Sequence, residues 1–306
     1  MDYTVMNGFE FHIRGDVMNK LLCTNYLNTL LILLFFSLAA CGGGGNGASP
    51  SATVLQGKLV DSAVQGITYT SGSQTGVTDA TGSFSYEKGK TVTFSIGDIV
   101  IGTIGGSAII TPVQFVSGAT DQTNSTVTNI VQFLMTIDDD HNPANGIQIT
   151  QAIRDAAAGL SVDFTLANFD TDSNVSSVVN TLTTASTIGS QVLVSNSAAQ
   201  THLSDSLFSL ISGTYSGTYS GTDSGSWTIT IATNGAISGT GSSNSGAPLI
   251  FTGSIQTSGT VSATTSGGVS SGSTWSGTID ITSGDVTGTW VLASIGQSGT
   301  YTGHKN

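Results

Sequence analysis

The sequence predicts a mainly β protein with one helical segment, and three observations support this. Residues 54–110 and 212–306 contain short runs that alternate apolar and polar residues, separated by glycine-containing turns. Between them, residues 124–211 place apolar residues at helical spacing. We therefore expect a small β-sandwich with an α-helical extension over 54–211, and then an antiparallel meander over 212–306 that forms a barrel or a second sandwich.

The first β region carries a spaced pattern of turn and core residues, and Asp79-Ala80-Thr81-Gly82 is a predicted β-turn within it. The pattern consists of Gly57, Asp61, Val64, Gly66, Thr78, Asp79, Gly82, Phe84, Gly89, Val92 and Phe94. It resembles the carboxypeptidase regulatory-like modules, which are transthyretin-like β-sandwiches. The resemblance covers about a fifth of the chain and implies a fold without catalytic residues.

Four short amphipathic helices are predicted over residues 124–211. The first follows Asn124 and Ser125, the second follows Thr150, and the third follows Ser173 and Asn174. The fourth is indicated by the spacing of its apolar residues, Ala199, Leu203, Leu207, Leu210 and Ile211. Their apolar stripes must be covered, so we expect them to dock on one face or end of the first sheet.

Eight strand-like runs follow, rich in Gly, Ser and Thr: 213–220, 226–232, 236–242, 248–256, 260–266, 273–281, 285–293 and 298–303. The first and last contain the same Gly-Thr-Tyr motif, at residues 213–215 and 299–301, and could pair to close a barrel. The segment resembles Gly-Thr-Tyr/Trp-rich β modules at the ends of bacterial lipoproteins. Its tryptophan phrases are also similar to strands of avidin-like barrels, without a biotin-binding set.

Residues 1–40 are predicted to be a signal peptide, with Met18 as its true start. The apolar run 30–40 is shorter than the roughly 20 residues that span a membrane. Leu38-Ala39-Ala40-Cys41 resembles the lipobox of bacterial lipoproteins, which implies cleavage before Cys41 and acylation of this residue. Position 42 is a glycine and not the aspartate that favours inner-membrane retention, so the resemblance implies the outer membrane. Whether the protein faces the cell surface or the periplasm is left open. Residues 41–53 are then a lipidated cysteine and a flexible linker.

Composition limits the possible partners. Only 8% of residues are charged and the net charge is −12, so there is no basic patch for nucleic acid or anionic lipid headgroups. Cys23 would leave with the signal peptide, so the mature chain would have no thiol free for a disulfide.

The best candidate for a metal site is the acidic stretch from Asp138 to Gly146. Asp138, Asp140 and Asn142 supply oxygen ligands at alternate positions, as at the start of a calcium-binding EF-hand loop. The pattern then departs from that loop, with Pro143 where glycine is required and Ile149 where a glutamate is required. The alternatives are a calcium site and a solvated acidic turn.

Other candidate sites carry weaker patterns. Asp170-Thr171-Asp172-Ser173-Asn174 repeats the aspartate spacing, but a helix start explains it. His141, His202 and His304 have no zinc-site spacing. Gly268 to Gly272 fits the G-x-S-x-G pattern of hydrolases around Ser270, but it lies in a predicted hairpin instead of a strand-to-helix turn.

Trp227, Trp275 and Trp290 lie on the apolar face of the second β region. They are either core residues or the lining of a ligand pocket.

These features predict one of three functions. The first is a non-catalytic, lipid-anchored envelope protein that presents β modules for adhesion or for binding a glycan or protein. The second is a periplasmic barrel that binds a small ligand through the three tryptophans. The third and remotest is a hydrolase.

Overall fold

Two small sheets packed face to face form the first β region, as predicted. The computed structural model describes residues 52–267 and 271–306; residues 1–51, which include the predicted signal peptide and Cys41, lie outside the described residues. The strands are β1 (Val54–Leu59), β2 (Val64–Gln65), β3 (Thr68–Ser71), β4 (Gln74–Val77), β5 (Ser83–Glu87), β6 (Thr91–Ile96), β7 (Ile99–Gly105), β8 (Ile109–Ile110) and β9 (Ile147–Gln148). One sheet has the order β5-β1-β8 and the other β4-β3-β6-β7.

Aromatic rings fill the space between these two sheets. Phe84 on β5 meets Phe94 on β6 edge-to-face, with ring centroids 5.0 Å apart, and Tyr69 on β3 lies 5.9 Å from Phe84. Gly57 on β1 leaves room for this ring, because a Cβ there would lie 2.5 Å from the Phe84 side chain. The predicted turn is confirmed, since the Gly82 N–H donates to the Asp79 carbonyl.

Helices α1 (Ser125–Thr136), α2 (Gln151–Ala156), α3 (Ser173–Thr184) and α4 (Asn196–Ile211) share one core with the sandwich. Asn124 caps α1 by accepting from the N–H groups of Thr126 and Val127, as its position predicts. Asp172 caps α3, which begins at Ser173. None of these helices is long and apolar enough to cross a bilayer.

Two parallel strand pairings are absent from the sequence expectations. β8 pairs with β1, and β2 pairs with β9. Each involves two residues per strand, too few to show alternation. The second pairing holds the acidic turn against the loop after β1.

The second β region is a closed eight-stranded barrel, which confirms the barrel alternative. Its strands are β10 (Gly213–Gly221), β11 (Gly225–Ile231), β12 (Ala236–Ser243), β13 (Pro248–Ile255), β14 (Thr260–Ser266), β15 (Thr274–Ile279), β16 (Asp285–Leu292) and β17 (Gln297–Lys305). β10 and β17 pair antiparallel, with Tyr219 opposite Tyr301 and Gly217 opposite Gly303. The Gly-Thr-Tyr copy at 217–219 thus faces the last strand, and no edge is left open.

Glycines facing inward make the barrel wide enough for its aromatic rings. A Cβ on Gly303 would overlap the Trp227 ring, and one on Gly288 would overlap the Tyr301 ring. Buried aromatics and inward glycines therefore alternate in a narrow interior that side chains fill.

Helix α4 continues directly into the barrel. Leu203 and Leu207 lie in the first core, whereas Ile211 lies in the barrel core. Lys305 on β17 donates to the Leu210 carbonyl at 2.7 Å, and the Tyr215 hydroxyl donates to the Ile211 carbonyl at 2.6 Å. The helix C-terminus is thus satisfied by the barrel.

Replacing Gly288 with Ala should destabilise the protein by about 1–3 kcal/mol, because the added methyl group overpacks the barrel. The free energy of unfolding, measured by urea titration, checks this. Gly105→Ala on β7 is the control, since a Cβ there meets no described atom within 4 Å. Equal stabilities of the two variants would contradict the filled interior.

Candidate functional site

The three tryptophans lie inside the barrel. Trp227, Trp275 and Trp290 are 4%, 5% and 3% exposed. The space enclosed among their neighbours is about 20 Å³, room for roughly one water. Their indole N–H groups donate within the barrel, to the Thr218 carbonyl, the Ser273 hydroxyl and the Ser220 carbonyl. This geometry is that of core residues, and ligand binding by them stays a prediction.

The acidic turn brings together two of its three aspartates. Asp140 accepts at 3.0 Å from the Asn142 N–H and at 2.8 Å from the Asn145 side-chain amide. Asp138 accepts at 2.8 Å from the Gln148 N–H. Asp139 instead bonds to Thr187, after the end of α3. Asn142 is exposed.

Asp138 is the unusual member of this turn. It is 1% exposed, and its second oxygen, Oδ2, is buried without a hydrogen bond to any described group. Burial above all raises the pKa of Asp138, to a net value of about 6; the Gln148 hydrogen bond opposes this shift and repulsion by the Asp140 carboxylate adds to it. Hydrogen bonds, first from Asn145, lower the pKa of Asp140. Across the described ranges, no three His, Cys, Asp or Glu side chains are grouped to hold a metal.

A second buried carboxylate lies close to this turn. Asp61, in the loop after β1, is 0% exposed, and neither carboxylate oxygen has a hydrogen-bond partner within the described structure. Nε2 of His202 on α4 lies 3.4 Å from Asp61 Oδ1 and 3.3 Å from the Asp61 carbonyl oxygen. Because a carbonyl only accepts, this contact places a proton on Nε2. Burial raises the pKa of Asp61 to about 7, and the charge of His202 opposes the shift.

Next to Asp61, the loop after β1 is held in an unusual conformation. Ser62 has a φ of 56°, rare for a residue with a side chain. Its N–H donates at 3.0 Å to the Ser206 hydroxyl on α4. The Ile147 N–H donates to the Ala63 carbonyl, so the loop is fixed by α4 on one side and by the acidic turn on the other.

These three segments enclose a cleft of about 670 Å³. This volume suits a small ligand or a protruding segment of a partner. His202 exposes part of its ring there, in front of the buried Asp61. The cleft residues are Val60, Ser62, Ala63, Asn142, Pro143, Ala144, His202, Asp205, Ser206, Ser209 and Leu210. We take this cleft as the candidate functional site, because a buried carboxylate with a shifted pKa beside a concavity is typical of functional sites.

The remaining predicted residues lie elsewhere. Asp172 caps α3, which confirms the structural interpretation of the 170–174 stretch. His141 lies in the acidic turn and His304 on β17. Gly268, Val269 and Ser270 lie outside the described residues; the flanking strands β14 and β15 pair antiparallel, as in the predicted hairpin.

Sequence reasoning did not find the cleft. In the sequence, Asp61 belongs to a turn motif, and His202 is one of the three histidines after residue 41. Neither an Asp-Ser-Ala sequence after a strand nor a lone histidine on an amphipathic helix connects two residues 141 positions apart.

Comparisons of this chain with family models, curated proteins and solved structures found no match.

Asp61→Asn should reduce the dependence of stability on pH between about 4 and 7. Because the folded pKa of Asp61 lies above its ordinary value of 3.8, folded Asp61 retains a proton that the unfolded chain releases in this window. Its contribution to stability is therefore present at pH 4 and is lost as the pH rises through 7. The free energy of unfolding of the variant minus that of the wild type should be about 1–3 kcal/mol higher at pH 8 than at pH 4. Denaturant unfolding at both pH values measures this difference.

His202→Gln serves as the companion variant. It keeps a side-chain amide that can donate to the Asp61 carbonyl but removes the imidazole ring. If the stability difference between Asp61→Asn and the wild type is the same at both pH values, Asp61 is not the titrating group.

Proposed function

We propose that this chain is a non-catalytic, lipid-anchored protein of the cell envelope, which binds a glycan or protein through its β modules. The anchor is Cys41 in the lipobox-like sequence, and the linker to residue 53 gives the folded part reach. The outer membrane is the proposed location. The binding surface is the cleft between the loop after β1, the acidic turn and helix α4.

The filled barrel is the observation that carries this proposal. With about 20 Å³ inside, the barrel has no room for a small ligand in the described geometry, so recognition falls to outer surfaces. The cleft of about 670 Å³ is the concave surface of suitable size that also carries a titratable ring. The second hypothesis, a small ligand held among the tryptophans, lacks this support.

The outer face of the barrel supports an uncharged polar partner. Exposed threonines stand opposite one another across five neighbouring strands, in the order Thr260, Thr278, Thr287, Thr302, Thr218. Residues 212–306 contain only four charged residues: Asp223, Asp280, Asp285 and Lys305. Hydroxyl groups without strong charge suit contacts with glycans, whereas phosphate recognition would require basic residues.

We also propose that the sandwich is a carboxypeptidase regulatory-like module. Two of the residues that carry this resemblance, Phe84 and Phe94, pack edge-to-face in the core, and a third, Gly82, has a positive φ in its turn. These observations support the proposed sandwich module.

Within the cleft, the arrangement around His202 is not that of a nucleophilic triad. The described contacts of the ring are with Asp61, and the Ser206 hydroxyl instead accepts from the Ser62 N–H. Activation of a serine needs a hydrogen bond to the base.

Cys41→Ser should abolish lipid attachment and release the protein from the membrane fraction. Incorporation of labelled palmitate and fractionation of cells measure this, with Cys23→Ser as the control that keeps the lipid. Equal labelling of both variants would contradict the anchor.

Ala144→Trp should block the cleft and lower partner binding at least tenfold, because the indole would occupy its mouth. The full chain is assayed on a glycan array and on envelope extracts, with antibody labelling of intact and permeabilised cells to define the exposed face. Ala152→Trp, at an exposed position on α2 outside the cleft, is the matched control. Equal loss of binding in both variants would contradict the cleft as the binding surface.

A further inference from the structure

We propose that the acidic turn Asp138–Gly146 binds a calcium ion through the carboxylates of Asp138 and Asp140. The proposal rests on the geometry of the turn and is independent of where the protein is anchored. Magnesium and transition metals are less suited, because the donors of the turn are oxygen atoms in an irregular arrangement.

The buried oxygen of Asp138 is the first step of this argument. Asp138 is 1% exposed, and its Oδ2 has no hydrogen bond among the described residues. A buried carboxylate oxygen without a donor is costly, and a cation is one of the few partners that removes this cost. Its other oxygen is fixed by the Gln148 N–H, so Oδ2 cannot rotate to solvent without losing that bond.

Repulsion between the two carboxylates is the second step. Asp138 and Asp140 are two residues apart in the same turn, where Asp138 accepts from the Gln148 N–H and Asp140 from the Asn142 N–H, and like charges held this close repel each other. Both follow the C-terminus of α1, where the helix dipole also disfavours negative charge. A cation between them offsets all three unfavourable terms.

The third step is the chemistry of the donors. The turn carries oxygen donors on Asp138, on Asp140, on the exposed side chain of Asn142 and on its main-chain carbonyls, whereas the Asn145 amide nitrogen already donates to Asp140. Such an all-oxygen set favours calcium, and it tolerates the irregular geometry that magnesium does not. Asp139 is not part of this set, because its carboxylate faces Thr187 on the segment after α3 and not the turn. Two carboxylates predict weak binding, in the range of about 10⁻⁴–10⁻³ M typical of extracellular modules.

A cation here would also stiffen one wall of the cleft. Asn142 and Ala144 follow the two ligands directly and line the cleft. Calcium binding would therefore restrict the movement of this wall.

The test uses the full chain and thermal unfolding with 5 mM calcium chloride, 5 mM magnesium chloride or EDTA. Calcium should raise the melting temperature by about 2–5 °C relative to EDTA. Magnesium should raise it less. Equilibrium dialysis with radioactive calcium should give one bound ion per chain.

Asp140→Asn should abolish both the shift and the bound ion. Asp140 is exposed, so this variant should fold. Asp138→Asn should also lose the response and, in EDTA, should be at least as stable as the wild type, because it removes the buried charge and the repulsion. Asp163→Asn is the matched control, since Asp163 accepts similar turn hydrogen bonds from Thr165. It should keep the full response.

No calcium shift in the wild type, or a shift that survives in Asp140→Asn, would overturn the site. An equal response to magnesium would overturn the choice of calcium.

Discussion

Helix α4 belongs to two hydrophobic cores, and the arrangement of the described chain depends on this. Its apolar residues recur every fourth position, at Ala199, Leu203, Leu207 and Ile211, so one continuous stripe passes from the sandwich core into the barrel. His202 and Ser206 lie on the flank of this stripe, three residues after Ala199 and Leu203, and contact the loop after β1. The helix that joins the two β modules therefore also builds the cleft, and the cleft geometry follows from core packing.

Much of the architecture could be predicted from the sequence, because local patterns determine it. Alternation at Trp227, Ile229 and Ile231 identifies a strand with one buried face, and Gly235 with its φ of 78° ends the hairpin turn as the Asn-Gly pair predicts. All eight barrel strands were located in this way. The choice between barrel and sandwich depends on the pairing of β10 with β17. The shared Gly-Thr-Tyr motif indicates that pairing, but not its register, in which Tyr219 and not Tyr215 lies opposite Tyr301.

The site was harder to predict, for a physical reason. The importance of Asp61 comes from its burial and from its missing hydrogen-bond donors, and both properties arise from segments distant in sequence. The tryptophans are different, because the sequence shows their alternation directly. That alternation is compatible with core residues and also with the lining of a ligand pocket. Only the inward glycines, such as Gly303 against Trp227, show how fully the barrel is filled. Asp138 lies between these cases, since its acidic neighbours are evident in the sequence and its burial is not.

Barrel closure by the last strand has a consequence for biogenesis. β10 cannot acquire its second neighbour until β17 has emerged, more than 75 residues later in synthesis. If the chain crosses a membrane from its amino terminus, the sandwich and helices can fold during translocation, whereas an incomplete barrel leaves the unpaired edges of β10 and of the latest strand exposed. Lys305, which also binds the end of α4, lies on this closing strand. Pairing of β17 with β10 thus decides when the barrel is protected from proteases and from edge-to-edge association.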